Sequence, residues 1–371
     1  MTKLGRFFRL DGLLIATTIG AGIFALPYVF YKSGWILGLG YLLFFGLVMA
    51  VTHALYWGVL VKAGGREGLL GLAREYLGRT GFFAGFMSIL GGLLFSQVAF
   101  LVLAHSFLKL IFPGISFSGA VVIFWLAAVI PLLFGVKRFI KMELFGGVIM
   151  AAVILLIFFG SLPFGDLSFV PKVNLDNFFL PFGAILFSLA AWTAIDPMIS
   201  SEEKAERFKK GYRWREIFSG TLLVVVIYLL FILAILSSSG EVAPDGVSGL
   251  VGWAGWKLGL LGIFGLFAIW TTYLPFAFES RVLLEKDLKR SKTISLVLVI
   301  FLPVVLIVLG LTSFLDAVFL VGGVFLAVQY FILLLIARRA LDLSFKMRVA
   351  TFLMSLIFVA GAIYEIYYFV F

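Results

Sequence analysis

Apolar positions along this chain come in runs about 20 residues long, set apart by short charged segments or by breaks rich in glycine and proline. A run of that length covers roughly 30 Å as helix, the depth of the bilayer hydrocarbon. Membrane strands would instead alternate over about ten residues, and these runs do not alternate. The pattern predicts helices near 7–31, 34–60, 81–111, 117–136, 142–162, 178–200, 215–238, 253–280, 293–311, 314–337 and 348–370. That is about eleven spans of an all-α integral membrane protein. The connections differ in kind. Lys62–Thr80 and Ser201–Arg215 are charged, and the second reads as an interfacial amphipathic helix with Phe208, Tyr212 and Trp214 among basic residues. Leu162–Asn177 and Ser237–Gly249 are rich in small and turn-forming residues, with Pro244-Asp245-Gly246 as a turn signal.

Composition supports the same class. Apolar residues make up 63% of the chain and charged ones 13%, about half the charged share of a soluble domain; mean hydropathy is +1.17. The net charge of +10 raises nucleic acid as a partner, but its distribution argues against that. With the N-terminus in the cytoplasm, 25 of the 29 Lys and Arg residues fall on the inner side, leaving Lys32, Lys109, Lys172 and Lys257 outside. The excess is therefore a topology signal and an attraction to anionic head groups. Met1–Leu10 reads as a basic signal-anchor flank. With no cysteine, disulfides, thiolate catalysis and Cys-ligated metal are excluded.

Two of the runs are interrupted. The first contains Thr17-Thr18-Ile19-Gly20-Ala21-Gly22, with Pro27 five residues on, a combination that weakens a helix within the hydrocarbon. Lipid offers no partners to freed backbone groups, so such a break persists only where protein shields it or where it lines a cavity. The sixth run holds Phe187-Ser188-Leu189-Ala190-Ala191-Trp192-Thr193-Ala194-Ile195-Asp196-Pro197. Spans 1 and 6 run in opposite directions. The chain thus reads as one transmembrane domain over 1–371, with inverted halves at about 7–162 and 178–337 and an extra helix at about 348–370. Interrupted helices at matching positions of inverted halves are the pointer to a transporter's binding site.

The chemistry follows from the breaks. Opening at Gly20-Ala21-Gly22 exposes N–H groups at the start of an outer half-helix near Ile23, which suits a carboxylate; close helix packing is the alternative use of such glycines. Thr18 lies at the same break. Carbonyls from Phe187 to Ala191 are acceptors for an ammonium, with Trp192 or Phe187 over the substrate side chain. Asp196 has two readings: an intramembrane proton carrier, or the N-cap of the inner half-helix with Pro197 as its first residue. Thr271 and Thr272, mid-span, read either as hydroxyl ligands of a hard cation such as sodium or as hydroxyls bonded back to their own helix. Gln97 stands mid-span, for substrate contact or a helix–helix bond. His53 and His105 read as interfacial, and Glu279 with Arg281 as a gate or topology pair. No Ser-His-Asp set, phosphate loop, metal-ligand spacing or paired carboxylates occurs, so neither hydrolysis nor ATP-driven transport has visible machinery, and no enzyme is expected.

Thr18-Ile19-Gly20-Ala21-Gly22-Ile23-Phe24-Ala25-Leu26-Pro27-Tyr28, continuing to Lys32-Ser33-Gly34-Trp35, resembles the opening of amino acid/auxin permeases and of bacterial aromatic amino acid permeases, within the amino acid–polyamine–organocation superfamily. The sixth span through Pro197 to Ser201-Glu202-Glu203, then Arg207-Phe208-Lys209-Lys210, is similar to that family's sixth helix and following loop. The resemblance implies a leucine-transporter type of fold with helices 1 and 6 discontinuous. It implies that the amides of Gly20, Ala21 and Gly22 hold the substrate carboxylate and the carbonyls of Phe187 and Ser188 its amine. It also implies a sodium position at the carbonyls of Ala16 and Ile19 and the hydroxyls of Thr271 and Thr272. Two departures leave the ion open between sodium and proton: Trp192-Thr193 stand where many eukaryotic members carry His, and Lys141 stands only at the inner end of the fifth helix. The expectation is a secondary transporter in the cell membrane, N-terminus inside and C-terminus outside, importing amino acids (large neutral or aromatic ones among them) by symport and alternating access. It needs no cofactor besides the coupling ion. Its partners are the amino acid and the bilayer, not nucleic acid, with the oligomeric state open. The alternative is an amino-acid sensor on the same fold that transports nothing.

Overall fold

The structure, a computed structural model, describes residues 12–64, 68–134, 139–162, 165, 167–200, 213–238, 241–250 and 252–370. The flank Met1–Leu10 and most of the interfacial helix expected over 201–215, with Phe208 and Tyr212, lie outside the described residues, as do the side chains of Lys141 and Pro197.

Regular structure among the described residues is helical throughout. The first apolar run forms α1 (Gly12–Thr18) and, after a 3-10 turn over Ala21–Ala25, α2 (Leu26–Ser33); the two parts meet at 51°. Then follow α3 (Trp35–Lys62), α4 (Leu69–Ile111), α5 (Phe117–Phe134) and α6 (Phe139–Gly160). The sixth run is again two pieces, α7 (Pro181–Leu189) and α8 (Trp192–Ser200). Beyond it lie α9 (Trp214–Ser238), α10 (Gly255–Lys286), α11 (Lys292–Val308), α12 (Phe314–Phe319), a π-helical segment Leu320–Leu326, α13 (Ala327–Ala340) and α14 (Phe345–Val370). Among the described residues, six helices are long and apolar enough to cross a membrane, or seven with the bent first pair counted as one, and four shorter apolar helices accompany them.

Where they fall on described residues, the predicted boundaries hold to within a few residues except at two places. α4 begins at Leu69 rather than 81, because Arg74, Glu75 and Arg79 interrupt the apolar run without preventing helix; Gly78 supplies the kink with φ +72° and ψ −157°. α10 continues past 280 to Lys286. These two long helices pack against each other and form the scaffold, with α6 on α10 and α13 on α4. α14 shows how the surface is divided. Thr351, Met354, Ser355, Phe358, Gly361, Ala362 and Glu365 form its buried stripe, while Phe352, Leu356, Val359, Ile363 and Ile366 stand exposed. An apolar face this continuous is a lipid face rather than a water face.

The side bearing Lys62, Arg338 and Arg348 is called the basic side below. On the opposite side two loops cover the end of the first broken helix. Residues 243–246 form the expected turn, closed by the Gly246 N–H to Ala243 O bond (2.9 Å) with φ +68° at Gly246. A Cβ at Gly246 would stand 2.6 Å from Phe24 O, so only glycine lets this loop approach. Asn174 and Asn177 donate side-chain N–H groups to Lys32 O (3.1 and 3.2 Å).

Candidate functional site

The two breaks lie against each other. A Cβ at Gly22 would stand 2.8 Å from Ser188 Cα and Oγ and 3.0 Å from a Phe187 ring carbon. The absent side chain is therefore what brings the two interrupted backbones together. At the first break α1 stops at Thr18 and Gly20 is extended (φ −129°, ψ −162°). Helical bonding resumes with the Ile23 N–H to Gly20 O bond at 3.3 Å, so the Ala21 and Gly22 N–H groups open a helical turn with no acceptor inside it. At the second break Ala190 is extended (φ −69°, ψ 118°) and α8 restarts at Trp192. The Thr18 and Ser188 hydroxyls donate back to Leu14 O and Ala184 O (2.6 and 2.7 Å).

Tyr228 on α9, fully buried, ties the breaks together. Its hydroxyl lies 2.8 Å from Thr18 O and 2.7 Å from Ser188 O. One phenolic proton serves two carbonyls, so only one is satisfied at a time.

The remaining polar contacts hold the second break to α3 and α13. The Ala191 N–H points at Tyr330 Oη (3.2 Å) and His53 Nε2 (3.4 Å), which are 2.8 Å apart. Trp192 Nε1 donates to Gln329 Oε1 (2.9 Å), and Gln329 Nε2 donates to Ser88 O (2.8 Å). The Tyr56 hydroxyl donates to Asp196 Oδ2 (3.3 Å). His53 is thus 1% exposed and belongs to the break, a correction of the interfacial expectation. Asp196 is not an N-cap: α8 begins four residues earlier and places the carboxylate inside the helix.

Around the expected cation position, Thr271 and Thr272 both donate to Ala268 O (2.9 Å each), leaving their lone pairs free. Two α6 glycines draw the parts in. A Cβ at Gly146 would overlap the Thr271 hydroxyl, and one at Gly147 would stand 2.7 Å from Ala16 Cβ. Ala16, with Ile19 three residues on, and Thr271 therefore meet the same short stretch of α6. Gln97 lies elsewhere: its amide nitrogen reaches Leu93 O (3.3 Å) and Ser280 Oγ (3.2 Å), and Ser280 is roughly 13 Å along α10 from Thr271. Arg281 pairs with Glu285 (2.6 Å).

Access differs between the two sides. A cavity of about 590 Å³ reaches from Arg74, Glu75 and Asp287 on the basic side, past Glu279, to Trp192 and Asp196. At its mouth, burial raises the Asp287 carboxyl above its ordinary range, while Lys286 and Arg74 act the other way. Opposite, Asp245 pins the covering loop by accepting from the Ser106 hydroxyl (2.5 Å) and from the N–H groups of Val247 and Ser248 (3.1 and 2.8 Å).

Two breaks in apposition, beneath a loop-covered side and above a basic-side cavity, are transporter geometry. Residues 8–234 match the model of the transmembrane amino acid transporter protein family. The chain belongs to this family. It is accordingly a multi-pass membrane transporter and not an enzyme. Its structure is similar to that of MhsT in complex with L-phenylalanine, at 15% identity and a TM-score of 0.68 over 98% of this chain and 99% of that one. It is also similar to the Eremococcus coleocola manganese transporter in complex with an aromatic bis-isothiourea substituted compound (15% identity, TM-score 0.63, 97% of this chain and 86% of that one). MHP1, a nucleobase-cation-symport-1 family transporter in a closed conformation with bromovinylhydantoin bound, gives 15% and 0.57 over 86% and 77%. At these identities the likenesses establish the fold, which agrees with the leucine-transporter type expected. No match was found among curated protein sequences.

The sequence reading missed His53, Tyr56, Tyr228, Gln329 and Tyr330. Each is a polar residue inside an apolar run, which is a usable signal; the partner, 40 to 277 residues away, is not.

Proposed function

We propose that this family member carries amino acids across the membrane by alternating access, binding the zwitterion between its two broken helices and moving it with sodium or a proton. The reading includes eleven spans arranged as two inverted five-helix halves plus α14. The observation that carries it is the contact of Gly22 with Ser188, which sets free donors of one break beside free acceptors of the other. The Gly20, Ala21 and Gly22 amides take the carboxylate. Thr18 O and Ser188 O, now sharing the single Tyr228 proton, take the ammonium, which brings donors enough for both. Phe187, Ala191 and Trp192 bound the side-chain space, and a large neutral or aromatic substrate fits such a boundary. The phenylalanine held by MhsT supports that class.

For the ion, the Ala16 and Ile19 carbonyls with the Thr271 and Thr272 hydroxyls form an all-oxygen set, the donor chemistry a hard cation takes. At the breaks themselves, Asp196 is the carboxylate available for a coupled proton. Thr271→Val keeps the shape and removes one of these oxygens. Uptake is expected to need at least about tenfold more sodium; unchanged sodium dependence removes the site.

Competition for a labelled aromatic amino acid tests the substrate reading. Analogues lacking either the carboxylate or the amine are expected to lose competition by about two orders of magnitude, as when a site built to hydrogen-bond a group meets a ligand without it. Competition equal to that of the parent amino acid overturns it.

A further inference from the structure

The buried stripe of α14 ends on a carboxyl. Glu365 is 2% exposed and lies five residues from the end of a helix whose other end carries Lys346 and Arg348, so it stands near the side opposite the basic one. Glycines make its place. A Cβ at Gly183 would stand 2.6 Å from Glu365 Oε1, and one at Gly323 would overlap the Glu365 side chain. The same seam extends along the helices: a Cβ at Gly322 would overlap Gly183 O, and one at Gly361 would overlap the Phe182 ring. α7, the π-helical segment and α14 thus close upon one another around this acid. Glu365 Oε1 thus lies against the Gly183 backbone, in the first turn of α7, where the amides lack helical partners and the helix dipole favours negative charge. Close packing alone needs the glycines but not the acid, and a membrane-buried carboxyl is costly unless it is used.

No Lys or Arg pairs with it among the described residues. The titratable groups facing it are Tyr364 and Tyr368 on its own helix. Beyond them stand Asp316 on α12, Tyr28 on α2 and Tyr41 on α3, each coupled to one of these tyrosines. α7 and the π segment present no charged side chain. Whatever charge change occurs at this seam is therefore Glu365's or Asp316's.

We propose that Glu365 is a proton-binding site that latches the outer half of the second broken helix. With α7 docked, the ionised carboxylate caps its first turn. When α7 swings outward to admit substrate, the cap is lost and the carboxylate faces apolar surroundings unpaired; binding a proton from the outer medium removes that penalty. Acid outside thus favours the open outer face, and alkali the closed one. The proposal rests on the reading of α7 as a moving part.

Because the chain has no cysteine, Ala184→Cys, buried in α7 beside Gly183, reports opening through a membrane-impermeant maleimide applied to right-side-out vesicles without substrate. Expressed at each pH relative to the same cysteine in denatured protein, which cancels the loss of thiolate in acid, labelling is expected to rise roughly tenfold from alkaline to acidic outer medium, within the 5–150-fold span of an ordinary coupling free energy. Adding Glu365→Gln should hold labelling at the acid rate at every pH. Gly183→Ala, which pushes the carboxyl off its cap, should raise the alkaline rate. Asp316→Asn should leave the pH response in place. Labelling that ignores pH, or a Glu365→Gln protein that keeps the original response, overturns the latch. A parallel arm separates the two readings: labelling altered by amino acid but not by pH defeats the latch alone, whereas labelling altered by neither defeats the moving helix as well.

Discussion

Gly22→Leu is expected to reduce amino acid uptake to background while leaving the protein inserted and folded. The first added carbon would already stand 2.8 Å from Ser188 Cα, a backbone atom that a rotamer change cannot move, and 3.0 Å from the Phe187 ring. Overpacking a site of this kind costs roughly 1–3 kcal/mol. That is tolerable for a chain with so much buried apolar surface, but the strain is relieved by separating the two breaks. Separation removes the one arrangement in which amides from the first break and carbonyls from the second address the same molecule. Uptake measured beside a size-exclusion profile in detergent checks both halves of the expectation. Uptake within twofold of the unsubstituted protein, with a normal profile, removes the carboxylate site.

Tyr228→Phe tests the acceptor side. The change removes one oxygen and leaves Thr18 O and Ser188 O, both buried beside Tyr228, without the donor they share at 2.8 and 2.7 Å. A buried polar group deprived of its partner costs about 1–3 kcal/mol, so the thermal midpoint in detergent should fall by a few degrees. The second half is more discriminating. If the substrate ammonium donates to these same carbonyls, it supplies what the phenol no longer does, and saturating amino acid should stabilise the Phe variant more than the parent. Equal stabilisation of both by ligand places the ammonium elsewhere.

Much of the architecture was legible because lipid makes it so. A long apolar run has one economical solution, and the boundaries of α3, α9 and α14 follow within a few residues. Gly20-Ala21-Gly22 and the stretch through Asp196-Pro197 were legible as breaks for the opposite reason: helix-weakening residues inside such a run need an explanation. What was not legible depends on tertiary pairing. His53 looked interfacial by position, and only the Tyr330 hydroxyl 2.8 Å away from a helix 277 residues later makes it part of the break. Asp196-Pro197 looked like a helix start, but Trp192, anchored to Gln329, restarts the helix four residues sooner. Gly146 and Gly147 carry no sequence signal that sets them apart from the chain's other glycines; their role is defined by Thr271 and Ala16 on other helices. The π segment Leu320–Leu326, with its Gly322-Gly323 seam against Gly183, carries no pattern distinct from the helix around it.

The central claim, that the paired breaks move an amino acid across the bilayer, is tested most directly by uptake of labelled phenylalanine into proteoliposomes holding the purified protein, with and without imposed sodium and proton gradients. The account predicts accumulation above the outer concentration that requires one of these gradients and collapses when it is dissipated. Saturable binding with no gradient-driven accumulation would contradict it and identify a sensor built on the same fold.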